Sequence, residues 1–249
     1  MAMNVNYIQL PEVDSTNNYL MRIEPTGADE VTVVWTDCQT SGRGCGTNSW
    51  ESEPGKNLTF SIGFRPCNIP ARNQFILSMA NAVALKRTLD AYTDGISIKW
   101  PNDIYWHDRK LCGTLIETSL EGSYIRRCII GTGINVNQRV FLSDAPNPVS
   151  LYQILGHELD REKLLRQVME NFVLAVNRVG DGQTDDIREE YRAALYRRNE
   201  VHPYLLPNGE RRLYMLTDVT DDGHLLLTTP DGLEQHSFAF KEVQFHITQ

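Results

Sequence analysis

Apolar residues recur along this chain with two periods, and the places where one gives way to the other mark out its elements. Two-residue alternation and short β-branched runs predict strands at Tyr7–Leu10, Val31–Thr36, Asn57–Phe64 and Ile96–Trp100. Turns at His107-Asp108-Arg109 and Glu121-Gly122-Ser123 then fold three runs into an antiparallel meander: Ile104–Trp106, Lys110–Thr118, and a strand carrying Ile125, Cys128, Ile129, Ile130 and Ile134. Helical spacing takes over at Phe75, Ile76, Met79, Val83, Leu85 and Leu89, predicting a helix over Arg72–Tyr92. It returns at Leu164, Leu165, Val168, Phe172 and Val176, in a helix from Arg161 to Val179 that Asp160 can cap. Shorter helices are expected after Asp14-Ser15-Thr16-Asn17, whose side chains suit an N-cap, after Ser150 with its capping-box partner Gln153, and over Asp185–Arg198.

From about Glu200 the pattern changes to short β-like runs (Arg212–Val219, His224–Thr229, Glu234–Phe240, Val243–Ile247) between turns such as Asp221-Asp222-Gly223 and Pro230-Asp231-Gly232. This texture predicts a small antiparallel barrel. The expected organisation is a large domain over residues 1–198 and a small β domain over 199–249. The fold class is α+β, with a mixed, largely antiparallel sheet and packed helices in the first domain.

Composition narrows the possible functions. With 249 residues the chain can bury a full core, and its net charge of −8 argues against a nucleic-acid coat or a membrane-surface protein. No apolar run approaches the length of a membrane span, and residues 1–18 lack the basic head and apolar centre of a secretory signal. Five scattered cysteines without a CxxC pair argue against a disulfide framework or a zinc site and suit the cytoplasm. The histidines show no metal spacing. Cys112 and Cys128 read as core fillers.

Candidate chemistry concentrates between Lys99 and Asn137. Glycine inside a strand marks close approach of a ligand or another backbone, and here Gly113 and Gly131-Thr132-Gly133 interrupt apolar strands. The meander would bring them onto one patch with Lys110, where an ammonium over a bare floor can hold an anion. A solvated hairpin lysine is the plain alternative for Lys110, and a turn residue for Asp103. Upstream, the long connection after Val31–Thr36 carries Gly42-Arg43-Gly44 with a single Arg. It lacks the Gly-Lys-Ser/Thr of a P-loop and does not complete a dinucleotide fingerprint, which leaves a surface hairpin or an Arg poised to fork onto a phosphate.

Taken in order, Ser15-Thr16-Asn17, Gln39-Thr40-Ser41-Gly42-Arg43-Gly44, Lys99-Trp100-Pro101-Asn102-Asp103, Lys110-Leu111-Cys112-Gly113 and Gly131-Thr132-Gly133-Ile134-Asn135 resemble the biotin protein ligases. The resemblance runs through most of residues 7 to 137. It implies a class II synthetase-like catalytic domain with an SH3-like C-terminal barrel. The implied activity converts biotin and ATP to biotinyl-5′-AMP and then biotinylates a lysine of a biotin carboxyl carrier domain.

On the same resemblance, Ser15, Thr16, Asn17 and Gln39 would meet biotin's ureido ring, with Gly42, Gly44, Gly113, Leu115, Gly131 and Gly133 around it. Arg43 and its loop would fold over the adenylate. Lys110 would hold the biotin carboxylate and the α-phosphate, with Asp103 beside the acceptor amine. Cys45, Trp50, Asn102, Asn135 and Asn137 would lie on the nucleotide side. Mg²⁺ would arrive with ATP, without a protein cage of its own. Two departures stand out: Cys45-Gly46-Thr47 replaces the loop's further basic residues, and little chain precedes the first strand, which suggests a ligase without a DNA-binding domain. A homodimer through exposed β-edges is conceivable. The rivals are a lipoate or octanoate ligase on the same fold and a non-catalytic module that binds carrier domains.

Overall fold

The computed structural model describes residues 3–24, 27, 30–46, 48–142 and 147–247. Its first half builds a seven-stranded sheet. β1 (Asn4–Val13) leads through α1 (Thr16–Arg22) to β2 (Glu30–Gln39), its parallel partner. β3 (Leu58–Phe64) then runs antiparallel to β2, and α2 (Phe75–Asp90) crosses the sheet to β4 (Ile96–Lys99). The expected meander follows as β5 (Asp103–Trp106), β6 (Arg109–Glu121) and β7 (Tyr124–Ile134). Strand order is β1-β2-β3-β7-β6-β5-β4, so β7 returns to pair with β3 and carries the glycines to the middle of the sheet.

The two faces are unequal. α2 lies on one face beneath α4 (Arg161–Gly180) and α5 (Thr184–Ala193), after the short α3 (Leu151–Leu155). The main core fills this side, with Phe64 edge-on to Phe172 at 5.5 Å. On the other face α1 packs through a small cluster of Leu20, Val34 and Ile129. Gly63 admits α1 so closely that a Cβ there would stand 3.3 Å from the Leu20 methyls. β3 is consequently buried at every position, polar ones included. Its alternating pattern marks a strand whose polar face turns inward to a site.

The caps expected at Ser150 and Asp160 are present: Ser150 and Gln153 form the reciprocal capping box, and Asp160 accepts from the Lys163 N–H at 3.1 Å. The α1 start differs. Ser15 occupies the N-cap position in extended geometry, yet its side chain caps nothing. The Gln39 side chain caps from β2 instead, its Oε1 accepting from the Thr16 N–H at 2.9 Å.

After α5 the backbone runs alongside β4, with the Ile98 N–H donating to Ala194 at 2.8 Å and the Tyr196 N–H to Ile98 at 2.9 Å. It then enters a second sheet of β8 (Val201–Leu205), β9 (Arg211–Val219), β10 (Leu225–Thr228), β11 (Gln235–Phe238) and β12 (Gln244–Phe245). The order is β11-β10-β9-β8-β12, antiparallel throughout, and β11 does not pair with β12. The expected SH3-like barrel is therefore corrected to an open sheet. The reason lies in the last turn. Instead of closing on β11, residues 240–247 turn toward the first sheet, where Phe240 packs edge-on against Trp100 at 6.0 Å and Phe245 tilts onto Tyr196 at 6.1 Å. The Trp100 indole N–H donates to Gly223 at 2.9 Å, and Arg192 pairs with Asp218 at 2.7 Å, so the second sheet is seated on the first.

Candidate functional site

A cleft of about 1130 Å³ opens between the α1 face of the first sheet, the loop after β2 and the chain's final turn. Its floor is glycine. Gly113 on β6 lies opposite Gly133 on β7, and Leu115 opposite Gly131, while β3 sets Thr59 and Ser61 beside the same two glycines. Each missing Cβ has a tenant in its place. A Cβ on Gly131 would strike the Asn17 carboxamide, one on Gly133 would stand 2.5 Å from the Trp50 Nε1, and one on Gly113 would lie 3.2 Å from Lys110 Cε.

The Lys110 ammonium thus stands over the bare strand, brought to the face of Gly113 by a bulge in β6 opposite Ile104 and Tyr105. Asp103, the first residue of β5, accepts from it at 2.7 Å, and both side chains stay partly open to the cleft. Asn102 next to it donates to the Thr114 carbonyl at 2.6 Å, which fixes the turn that presents Asp103.

The polar rim is a connected network. Ser61, fully buried on β3, donates toward Thr16 Oγ1 at 2.6 Å and Asn17 Oδ1 at 2.5 Å. Gln39 holds Thr16, while Asn17 donates to Glu117 Oε2 at 2.8 Å. Arg43 reaches Glu117 Oε1 at 2.9 Å and Asn18 Oδ1 at 2.9 Å. Asn18 in turn donates to Asp14 at 3.0 Å, and two hydrogen bonds from Arg22 hold the Asp14 carboxyl well below the usual carboxylate range.

The loop bearing Arg43 is a narrow hairpin. The Trp50 N–H donates to Gly42 at 3.1 Å and the Gly44 N–H to Asn48 at 2.7 Å, an arrangement that lays the Trp50 indole over Gly113 and Gly133. The segment is thus the hairpin that the sequence allowed, and Arg43, Gly44, Cys45 and Trp50 border the cleft. Cys45 faces the cleft and is half-buried. Thr47 lies outside the described residues. Gly46, at φ +70°, receives Lys241 from the final turn, so a cation from the second sheet stands where the loop itself lacks one.

Ser15, Thr16, Asn17, Gln39, Arg43, Gly44, Cys45, Trp50, Asn102, Asp103, Lys110, Gly113, Leu115, Gly131, Gly133 and Asn135 all border this cleft. Two expected residues do not. Gly42 sits behind the loop, where a Cβ would press on the Trp50 carbonyl at 2.6 Å. The Asn137 side chain both donates to and accepts from the Leu159 backbone at 2.9 Å, away from the opening. Asn135 is buried at the edge, donating to Val149 at 3.0 Å.

Several participants escaped the sequence. Glu117 follows Gly113 and Leu115 on the same face of β6, and a carboxylate in that alternation was the available signal. Ser61 is a polar position in the alternation of β3, and nothing local to it signals that it is fully buried. Lys99 and Tyr105 border the cleft from the β4–β5 hairpin, and the final turn joins them through contacts distant in sequence. Burial pushes the Tyr105 hydroxyl above its ordinary pKa and pulls the Lys99 ammonium below its own. Among the described residues no group of three or more His, Cys, Asp or Glu could hold a metal ion.

The Bifunctional ligase/repressor BirA of Bacillus spizizenii is 34% identical over 175 residues, covering 68% of this chain and 53% of that protein. The chain thus spans about half the length of the first curated relatives it matches. The Biotin–[acetyl-CoA-carboxylase] ligase of Paracoccus denitrificans is 26% identical over 231 residues, covering 90% and 94%. Among solved structures, the biotin protein ligase from Aquifex aeolicus in complex with biotin and ATP superposes with a TM-score of 0.80 at 26% identity, covering 98% and 99%. The model of the Biotin/lipoate A/B protein ligase family matches residues 10–135, just over half of the chain and all of the glycine floor. With that match and the site it spans, the chain belongs to the biotin/lipoate A/B protein ligase family.

Proposed function

We propose that this protein activates biotin with ATP to biotinyl-5′-AMP and transfers the biotinyl group to a lysine of a biotin carboxyl carrier domain. The observation that carries the reading is the Lys110 ammonium above Gly113, paired at 2.7 Å with Asp103. Two anions, a carboxylate and an α-phosphate, must meet for the first step. An ammonium fixed between them removes their repulsion and stabilises charge developing on phosphorus, an effect whose loss costs about 3 kcal/mol of barrier or more. The glycine floor lets the acid approach that cation without a side chain in the way.

The remaining residues take roles by position. Ser15, Thr16, Asn17 and Gln39 present hydroxyls and amides to the ureido ring, and Leu115 lies against the apolar bicycle. Gly131 and Gly133 leave room for it. Arg43, Gly44, Cys45 and Trp50 close over the adenylate and keep water from the mixed anhydride. Asn102 and Asn135 bound the nucleotide end. Gly42 and Asn137 act from behind, by closing the loop and anchoring the backbone. Asp103 positions the acceptor amine as it loses its proton. Mg²⁺ belongs to the nucleotide substrate, neutralising its phosphates. The catalytic unit spans residues 1–198 and the second sheet 199–249, which adds one wall. No helix among the described residues is long and apolar enough to cross a membrane, and we place the enzyme in the cytoplasm.

Lipoate or octanoate is the competing substrate within the same family. A flexible apolar chain has no use for the Ser15–Gln39 rim, whereas a ureido ring matches its donors and acceptors. Exchange of labelled diphosphate into ATP, measured with biotin, lipoate and octanoate in parallel, tests the choice. Biotin-dependent exchange supports the assignment, and exchange with lipoate or octanoate alone overturns it. Carrier binding without exchange would instead show a non-catalytic binding module.

A further inference from the structure

We propose that Lys99 is the seat of the diphosphate leaving group, its ammonium binding the β- and γ-phosphates of the nucleotide. The inference rests on the adenylation proposed above and adds to it a residue with a separate task. Lys99 ends β4, stands opposite Asp103 in the strand register and lines the cleft. Its ammonium lies 5.3 Å from the ring centre of Tyr105 and 4.8 Å from that of Phe245, between a ring of the first sheet and one of the second. Asp103, the carboxylate across from it, is engaged by Lys110 at 2.7 Å, and among the described residues no carboxylate forms an ion pair with Lys99.

Ring faces hold a cation without neutralising it. The charge of Lys99 therefore remains on offer to the cleft, where Lys110 and Arg197 add to the same positive field. This surplus is local, since the chain as a whole carries −8. A cation kept in such surroundings is costly to the fold unless an anion of high charge density arrives to use it. Lys110 and Lys99 stand on strands separated by β5, about 10 Å apart across the sheet. The α-phosphate and the diphosphate it releases are likewise successive groups along one ligand.

In the step itself a carboxylate oxygen of biotin bonds to the α-phosphorus. The bond from that phosphorus to the α,β-bridging oxygen breaks, and its electron pair departs on the diphosphate. No proton moves. Lys110 serves the phosphorus under attack, and Lys99 neutralises the charge that lands on the leaving group.

Lys99→Met keeps the apolar stem between the two rings and removes the charge. Three quantities are compared with wild type: calorimetric affinity for inorganic diphosphate, the rate of ATP-driven adenylation, and single-turnover transfer from pre-made biotinyl-5′-AMP to a carrier domain. Diphosphate affinity should fall about tenfold or more and adenylation about 100-fold, while transfer stays within about twofold. Unchanged diphosphate affinity, or transfer that falls in step with adenylation, would overturn the assignment. A thermal scan confirms folding, and Lys99→Gln takes the place of the methionine variant if that one unfolds. Wild-type protein that bound diphosphate through Lys99 but activated no acid would refute the ligase function and leave this site standing.

Discussion

Arg43 on the glycine loop and Glu117 on β6 are joined at 2.9 Å, so the loop is tied to the strand that carries the floor. Asn17 shares the same carboxylate at 2.8 Å, and the rim and the loop thereby depend on one side chain. Glu117→Gln should release biotinyl-5′-AMP about five- to tenfold faster, because the loop loses its anchor. Stability should change by less than about 1 kcal/mol, since the Arg43 and Glu117 side chains are 41% and 27% exposed and water screens the pair. Arg43→Ala should raise the release rate comparably, and the double variant little further. Stopped-flow release of the adenylate checks this, and fully additive effects would separate the two residues.

The floor admits nothing larger than hydrogen. Gly133→Val would drive a branched side chain into the space of the Trp50 indole. The indole belongs to a loop and can yield, so the protein should stay folded. Biotin affinity should nevertheless drop by about 100-fold or more, as the ring and the new methyls compete for one volume. Calorimetry with a parallel thermal scan reads both effects. Wild-type affinity in the folded variant would mean that biotin binds elsewhere.

Asp14 supplies a pH test of the network behind the rim. Its carboxyl is lowered from the ordinary 3.8 by hydrogen bonds from Arg22 and then Asn18. A depressed carboxyl binds its proton more readily in the unfolded chain. The stability it contributes is complete above about pH 4 and is lost as pH falls through the folded value. Asp14→Asn should therefore lower the melting temperature near neutrality, and its gap from wild type should narrow steadily below about pH 4. A gap that stays constant over that range would show that ionisation of Asp14 plays no part.

Local chemistry explains what was legible in the sequence. Two-residue alternation gave the meander because strands with one buried face must alternate, and its tight turns set the register that lays Gly113 opposite Gly133. Lys110 reaches the face of Gly113, three residues on, through a bulge in β6 opposite Ile104 and Tyr105 that alternation alone does not predict. Helix caps at Ser150 and Asp160 were readable because their partners lie three residues away. The barrel expected at the C-terminus failed for the opposite reason. Its closure was a question of where residues 240–247 go, and they are drawn to Trp100 and Lys99, more than a hundred residues earlier in the chain. Ser15 reads as a cap by composition, but the capping atom comes from Gln39 on a neighbouring strand. Glu117 was hidden among the exposed residues of a long hairpin, although its alternation with Gly113 and Leu115 placed it on the ligand side.

The role of Lys110 is the claim on which the rest stands, and diphosphate–ATP exchange in Lys110→Met measures it most directly. The variant keeps the stem and leaves Asp103 partly solvated, so it should fold and still bind biotin. Biotin-dependent exchange should fall by about 100-fold or more, the loss expected for one preorganised cation at the reacting phosphorus. Exchange at the wild-type rate from folded Lys110→Met protein would contradict the account.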